Sequence, residues 1–307
     1  VTFRLGSRGS ALALTQAETV AAGLRAGGAE VEIVPIRTAG DRLAQARLAE
    51  VGGKGLFVSD IEAALREGRV DLAVHSLKDM PAVLPAGLVL AVFPRREDPA
   101  DVLVSRGPGG LGGLAAGARV GTDSPRRRLL LLARRPDLRV VPARGNVDTR
   151  LRRLEAGAYD AVVLARAGLL RLGLRPAHAE TLPTDEFLPA VGQGILGVET
   201  RAEDEALRAR LAPLDDPPTR AEALAERAFL AALGADCRAA VAARARWQTG
   251  RLRLRGWVAN PADGRAVADL AEGPADAAEL LGAALARRLL ERGGGELLAA
   301  AREMDRA

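Results

Sequence analysis

The stretch that most constrains this chain is Val70 to Pro81, VDLAVHSLKDMP. The apolar run Val70 to Val74, headed by Asp71, has the length and residue types of a buried strand. His75, Ser76, Lys78 and Asp79 follow at once, and Pro81 then ends any ladder because it has no N–H to donate. Open α/β sheets place their ligands where strands end in such polar, ionisable loops. Lys78 beside Asp79 is the first candidate for chemistry.

The same strand-turn-helix unit opens the chain. Thr2 to Gly6 alternates as a strand, and residues 7–10 turn into a helix from about Ala11 to Arg25, with Ser10 as N-cap and Gln16 on its first turns. Free N–H groups at the helix start, Ser10 and the cation of Arg8 together form an anion site. Glu30 to Thr38 reads as a second strand. Gly40 to Gly55 has little patterning for its length and reads as a lid. Within it, Gly52-Gly53-Lys54-Gly55 lacks both the spacing and the following Ser or Thr of a nucleotide-binding loop, so Lys54 is expected to face another kind of anion. Leu56 to Glu67 is a helix with Phe57, Ile61, Ala64 and Leu65 on one face. Leu88 to Phe93 is a strand, and Arg95 to Pro99 breaks the pattern before the strand Asp101 to Ser105, as a crossover between lobes would.

The second region repeats the unit with arginine. Ala118 to Gly121 is a strand and Thr122-Asp123-Ser124 a turn. Pro125 then sets Arg126 and Arg127 in the first turn of a helix running to Arg135. Leu138 to Val141 is the next strand, and Arg144-Gly145-Asn146 leads into a helix carrying Arg150 and ending near Gly157. Asp160 to Ala165 precedes a short helix with Arg171. Arginines that follow successive strands gather on one edge of a sheet. Left unpaired, that charge opposes folding, so the pattern implies an anionic partner, best a polycarboxylate. Leu188 to Gly194 is a second crossover, returning to the strand Ile195 to Glu199, with Gln193 as a ligand donor or a purely structural turn residue.

Beyond Pro217 the pattern changes. An amphipathic helix reaches Leu233, Gly234 to Cys237 turns toward Val241 to Gln248, and Arg251 to Ala259 and Arg265 to Glu272 alternate as strands. Helices fill most of Pro274 to Arg302, giving three strands with helices on one face, a small α+β unit.

Composition narrows the function. One cysteine, Cys237, excludes an intramolecular disulfide, and two distant histidines leave no metal site. The net charge of +5 suggests nucleic acid, yet acidic residues are interspersed and aromatics for base stacking are only 3%. No segment approaches the roughly 20 apolar residues of a membrane span, and the first residues lack a signal-peptide pattern, so a cytoplasmic protein without membrane or nucleic-acid partners is expected. Of 44 basic residues only Lys54 and Lys78 are lysines. Retention of a compact ammonium against such a bias marks those two positions.

The sequence resembles the hydroxymethylbilane synthase (porphobilinogen deaminase) family over nearly its whole length. The resemblance rests on RLGSRGSALALTQA from Arg4, VGGKGLFVSDIE from Val51, VDLAVHSLKDMP from Val70 and REDPADVLVS from Arg96. GTDSPRRR from Gly121, RGNVDTRL from Arg144, LPAVGQG from Leu188 and the loop with Cys237 complete it, in the family's order. It implies two periplasmic-binding-protein-like lobes with mixed sheets and two crossover hinges, plus a small C-terminal α+β domain: residues 1–96 with 195–214, 97–194, and 215–307. It implies a monomer that condenses four porphobilinogen molecules stepwise onto a dipyrromethane, releasing ammonia and then hydroxymethylbilane. The dipyrromethane would be attached by a thioether to Cys237. Asp79 would be the catalytic carboxylate, and Ser76, Lys78, Thr122, Ser124, Arg126, Arg127, Arg144 and Gly145 would hold the cofactor. Arg8, Ser10, Gln16, Lys54, Arg144, Arg150, Arg171 and Gln193 would bind substrate. Hinge motion and the Gly40 to Gly55 lid would make room for the growing chain. This sequence departs from the family in Asp236 before the cysteine, in Arg238-Ala239-Ala240 after it, and in Pro125. A non-catalytic anion-binding protein on the same scaffold would keep the arginines but need neither Asp79 nor Cys237. A nucleic-acid binder would show steeply salt-dependent affinity.

Overall fold

The computed structural model describes residues 2–38, 58–235 and 239–304, with side chains to residue 300. In chain order the first elements are β1 (Thr2–Arg8), α1 (Ala11–Ala26), β2 (Glu30–Ile36), α2 (Ser59–Arg66), β3 (Leu72–Ser76) and β4 (Leu88–Val92). The next are β5 (Asp101–Ser105), β6 (Arg119–Gly121), α3 (Pro125–Leu132), β7 (Arg139–Val141), α4 (Val147–Glu155), β8 (Ala161–Ala165), α5 (Arg166–Arg171) and β9 (Ala179–Thr181). The chain continues with β10 (Leu196–Arg201), α6 (Glu205–Leu211), α7 (Pro217–Leu233), β11 (Ala240–Gln248), β12 (Arg251–Ala259), β13 (Ala266–Pro274), α8 (Ala278–Leu289) and α9 (Gly295–Met304).

Two five-stranded sheets have the same layout, β2-β1-β3-β10-β4 in the first lobe and β7-β6-β8-β5-β9 in the second. In each, three parallel strands are followed by one antiparallel strand, β10 or β5. That strand is the one arriving from the other lobe. It enters from the side where the parallel strands end, so it must run against them. It is covered on both faces, so every residue of β5 and all of β10 but Arg201 is buried, the polar Asp101, Ser105, Glu199 and Thr200 included.

The two crossings lie side by side. Glu97 N donates to Gly194 O (3.1 Å) and Arg96 Nε to Gln193 O (3.0 Å). Gly194 has φ +87°, and a Cβ there would stand 2.3 Å from the backbone O of Glu97, so only glycine fits. The third unit pins both crossings through one buried carboxylate on α7. Glu226 accepts from Arg96 Nη1 (2.7 Å) in the first crossing, from Gly192 N (2.6 Å) in the second and from Ala245 N (2.8 Å) on β11. Asp216 caps α7 and Gly234 ends it with φ +59°, which gives the helix the bounds its sequence predicts. The antiparallel sheet β11-β12-β13 lays Leu252, Leu254 and Val258 against Phe229, Leu285 and Leu289 of α7 and α8.

Several local expectations are corrected. His75 and Ser76 belong to β3, paired with Gly197 and Leu196, and the polar loop begins only after them. Their backbones complete a ladder, which a side-chain pattern does not display. The helix α3 stops at Leu132 because Arg135 precedes Pro136, where helical geometry is disfavoured. The strand β9 has no apolar alternation in its sequence and exists by pairing with β5. The helix α6 follows β10 with Asp204 as its cap. The predicted lid Gly40 to Gly55 lies outside the described residues.

Candidate active site

A cavity of about 320 Å³ opens between the lobes at the carboxyl ends of their parallel strands. From the first lobe, β1 delivers Arg8 to it, and Ser10 caps α1 with Oγ accepting from Ala13 N (3.3 Å). Gln16 on α1 donates from Nε2 to Ser76 Oγ (2.9 Å), which ties the helix to the end of β3. Lys78 and Asp79 sit on a single 3-10 turn, Leu77–Asp79. Leu77 and Met80, each 3% exposed, are buried pegs on either side of the pair, so the turn presents both charged groups to the cavity. Behind them His75 Nε2 bonds Glu199 Oε2 (3.0 Å), both buried. Burial, then the charge of Glu199, pushes the nearby Glu62 carboxyl up.

The second lobe supplies the cations. Ser124 caps α3, Oγ accepting from Arg127 N (3.4 Å), and Thr122 Oγ1 accepts from Ser124 N (3.1 Å). Arg150 reaches the cavity from α4, its Nε donating to Gly145 O (2.8 Å). Gly145 takes φ +103°, a backbone state that side chains strain to adopt. Arg171 Nη2 donates to Gly194 O (2.7 Å), joining the cavity wall to the second crossing. The starts of α1, α3 and α4 all face this space, adding free N–H groups and positive dipole ends.

The expected row of unpaired arginines is replaced by a tighter arrangement. Asp101, fully buried at the start of β5, takes Arg126 Nη1 on Oδ2 (2.7 Å) and Arg127 Nη2 on Oδ1 (2.6 Å). The two guanidinia outweigh burial and hold its carboxyl far below the usual carboxylate range. Gln193, 1% exposed, donates from Nε2 to Asp101 Oδ1 (3.0 Å) and Pro99 O (2.7 Å) and accepts from Lys78 Nζ (3.4 Å). Its amide is consumed by the crossing and serves as a positioning residue for Lys78. Four expected binding residues therefore stand outside the cavity lining: Gln193 and Thr122, which are buried and engaged, Arg126, which is turned to Asp101 and Leu188 O, and Arg144, which is exposed. Lys54 and Cys237 lie outside the described residues. Asp101 escaped the sequence reading because its place in an apolar strand gave no sign of what it faces; Asp123 and Asn146, also at the cavity, read as turn residues.

The described lining residues include the cations Arg8, Lys78, Arg127, Arg150 and Arg171 and the carboxylates Asp79 and Asp123, with Arg127 paired besides to the buried Asp101 behind the wall. Lys78 is pulled down to about 8 chiefly by burial, against the raising effect of Asp79, with Arg127 adding to the fall. The ammonium is therefore charged below about 8 and lost above it in the ligand-free cleft. The folded chain sheds this proton before the unfolded chain does, so the contribution of Lys78 to stability rises with pH between about 8 and 10.5. With only two lysines in the chain, a nitrogen-15 titration of lysine in the cofactor-free protein reads this directly. The expected midpoint is near 8, and a Lys78 signal titrating near 10.5 would remove burial from the account.

Several guanidinia, an ammonium and helix starts around one cavity suit a ligand carrying several carboxylates, as the acetate and propionate arms of a dipyrromethane would be. Two lobes of identical sheet layout, joined by paired crossings around such a cleft, define a periplasmic-binding-protein-like fold. The chain belongs to the porphobilinogen deaminase family. Residues 3–209 match the model of its dipyromethane cofactor binding domain and residues 220–291 that of its C-terminal domain. It is 50% identical over 298 residues to the porphobilinogen deaminase of Syntrophus aciditrophicus, covering 96% of this chain and 97% of that one. To that of Rubrobacter xylanophilus it is 52% identical over 294 residues, covering 96% and 95%. Among solved structures it is similar to the probable amino-acid ABC transporter extracellular-binding protein ytmK of Bacillus subtilis, with 11% identity, a TM-score of 0.41 and coverage of 70% and 90%. The chain is a transferase of tetrapyrrole biosynthesis with dipyrromethane as its cofactor. Among the described residues no helix is long and apolar enough to cross a membrane.

Proposed function

We propose that the interlobe cleft carries out the stepwise condensation of porphobilinogen, with Asp79 as the catalytic carboxylate and Cys237 as the attachment point of the dipyrromethane. The observation that carries this reading is the rigid turn that sets Asp79 beside Lys78 and opposite Arg127, Arg150 and Arg171. When bound, the dipyrromethane supplies the pyrrole carbon to which the first substrate is joined. Arg8, Ser10, Arg150 and Arg171 bind the acetate and propionate groups of incoming substrate, and Lys78, Ser124, Arg127 and Gly145 those of the cofactor. Asp79 places its negative charge against the positive charge that develops on the substrate pyrrole nitrogen as ammonia leaves, and it accepts the proton that is then released. The surrounding cations orient each ring by its carboxylates. We further infer that the protein acts as a cytoplasmic monomer.

The test is the intact mass of the purified chain. The wild type should exceed its sequence mass by two linked pyrroles, and Cys237→Ser should show the bare sequence mass with turnover abolished. An unmodified chain that still consumes porphobilinogen would refute covalent priming.

A further inference from the structure

The C-terminal sheet carries arginine on alternate residues. Arg244 and Arg246 lie on β11, with Arg253 and Arg255 on β12, and the strand register sets Arg244 opposite Arg255 and Arg246 opposite Arg253. The intervening Ala243, Ala245, Leu252 and Leu254 point to the core, so all four arginines project from the other face. They line a cavity of about 430 Å³, closed by Asp185 and Leu188 of the second lobe and by Leu270 of β13. This cavity shares no lining residue with the interlobe cleft.

The charges in it do not balance. Asp185 Oδ1 lies 3.3 Å from Arg246 Nη2, and Glu272 Oε1 lies 3.4 Å from Arg253 Nε. Thr184 accepts from both Arg244 and Arg246, and the Asp185 carbonyl accepts from Arg255. Two carboxylates thus pair with four guanidinia, while Glu226 and Glu222, which also act on Arg244, are already paired with Arg96. The Nε of Arg244 is buried with no hydrogen-bond partner, and burial together with Arg246 pushes this guanidinium down. Like charges directly opposite each other weaken a sheet pair, so this face is held at a cost that a bound anion would remove.

We propose that this cavity is a second anion site, taking a diphosphate-type oxyanion that clamps the C-terminal sheet onto the second lobe. Guanidinium forks match phosphoryl oxygens two at a time, and two adjacent charged centres supply the two negative charges the cluster lacks. The clamp bears on the hinge. Leu188, which walls the cavity, begins the second crossing, and its carbonyl accepts from Arg126 Nη1 (2.7 Å).

The experiment is a calorimetric titration of the holoenzyme with inorganic pyrophosphate at an ionic strength fixed by chloride. One saturable site is expected, and affinity should fall about tenfold or more in Arg253→Gln/Arg255→Gln, whose exposed side chains leave the core untouched. Arg246→Gln, on the neighbouring strand, should weaken it by a similar factor. Displacement of pyrophosphate by ADP would support the site with a nucleotide as its source, and failure of ADP to compete would support it with the free anion. No saturable binding overturns the proposal. So does undiminished binding in the double variant, which would put the anion among the cleft arginines instead.

Discussion

Replacing Asp79 by asparagine is expected to lower porphobilinogen turnover by about 100- to 10,000-fold, the range for loss of a positioned acid–base group or of charge stabilisation in a transition state. The substitution keeps the side chain's shape. Leu77 and Met80 still anchor the turn, so folding and cofactor content should be unchanged. What disappears is one of the two negative charges, the other being Asp123, that face the five cations among the described lining residues. Single-turnover measurement on the cofactor-loaded variant separates chemistry from binding. Near-normal turnover would remove Asp79 from the mechanism, and loss of the cofactor itself would make its role one of attachment rather than catalysis.

The second large effect belongs to a residue far less conspicuous in the sequence. Asp101→Ala is expected to destabilise the chain by about 3–5 kcal/mol, because removing one partner from a buried ion cluster leaves the others unpaired. Here two guanidinia, Arg126 and Arg127, would lose their common carboxylate, and the Gln193 amide that orients Lys78 would lose an acceptor. A carboxyl held far below its ordinary range contributes stability above the unfolded value near 4, and loses it only as the pH falls through its own depressed value. Near neutral pH the effect is therefore at full strength. Urea unfolding with the cofactor-free protein reads it, and the same variant should carry less dipyrromethane because Arg127 is released from its place at the cavity. A loss under about 1 kcal/mol would show that the pairing contributes no more than an exposed salt bridge does.

These two residues mark the limits of what could be read without the fold. Asp79 was legible because it stands where an apolar run breaks off into charged residues, and a local change of pattern is visible along the chain. Asp101 heads an equally apolar strand, but its meaning depends on two arginines 25 and 26 residues away. Spacing along the chain does not encode that contact. The same limit explains Arg126 and Arg127. Their sequence positions are nearly equivalent, yet their helix turns Arg126 toward Leu188 O while Arg127 borders the cavity.

By itself the sequence determined the elements and their class: buried strands, capped helices, glycine at the crossing and a run of cations after successive strands. It did so because burial, capping and backbone freedom are local properties of a few neighbouring residues. Only the tertiary structure decided which cations stay available to a ligand and which are neutralised by a buried carboxylate. It also decided that alternate arginines on two C-terminal strands meet across one cavity beneath the second lobe. Both outcomes are set by electrostatic neighbours distant in sequence, and close contact between charges is a property of the folded shape.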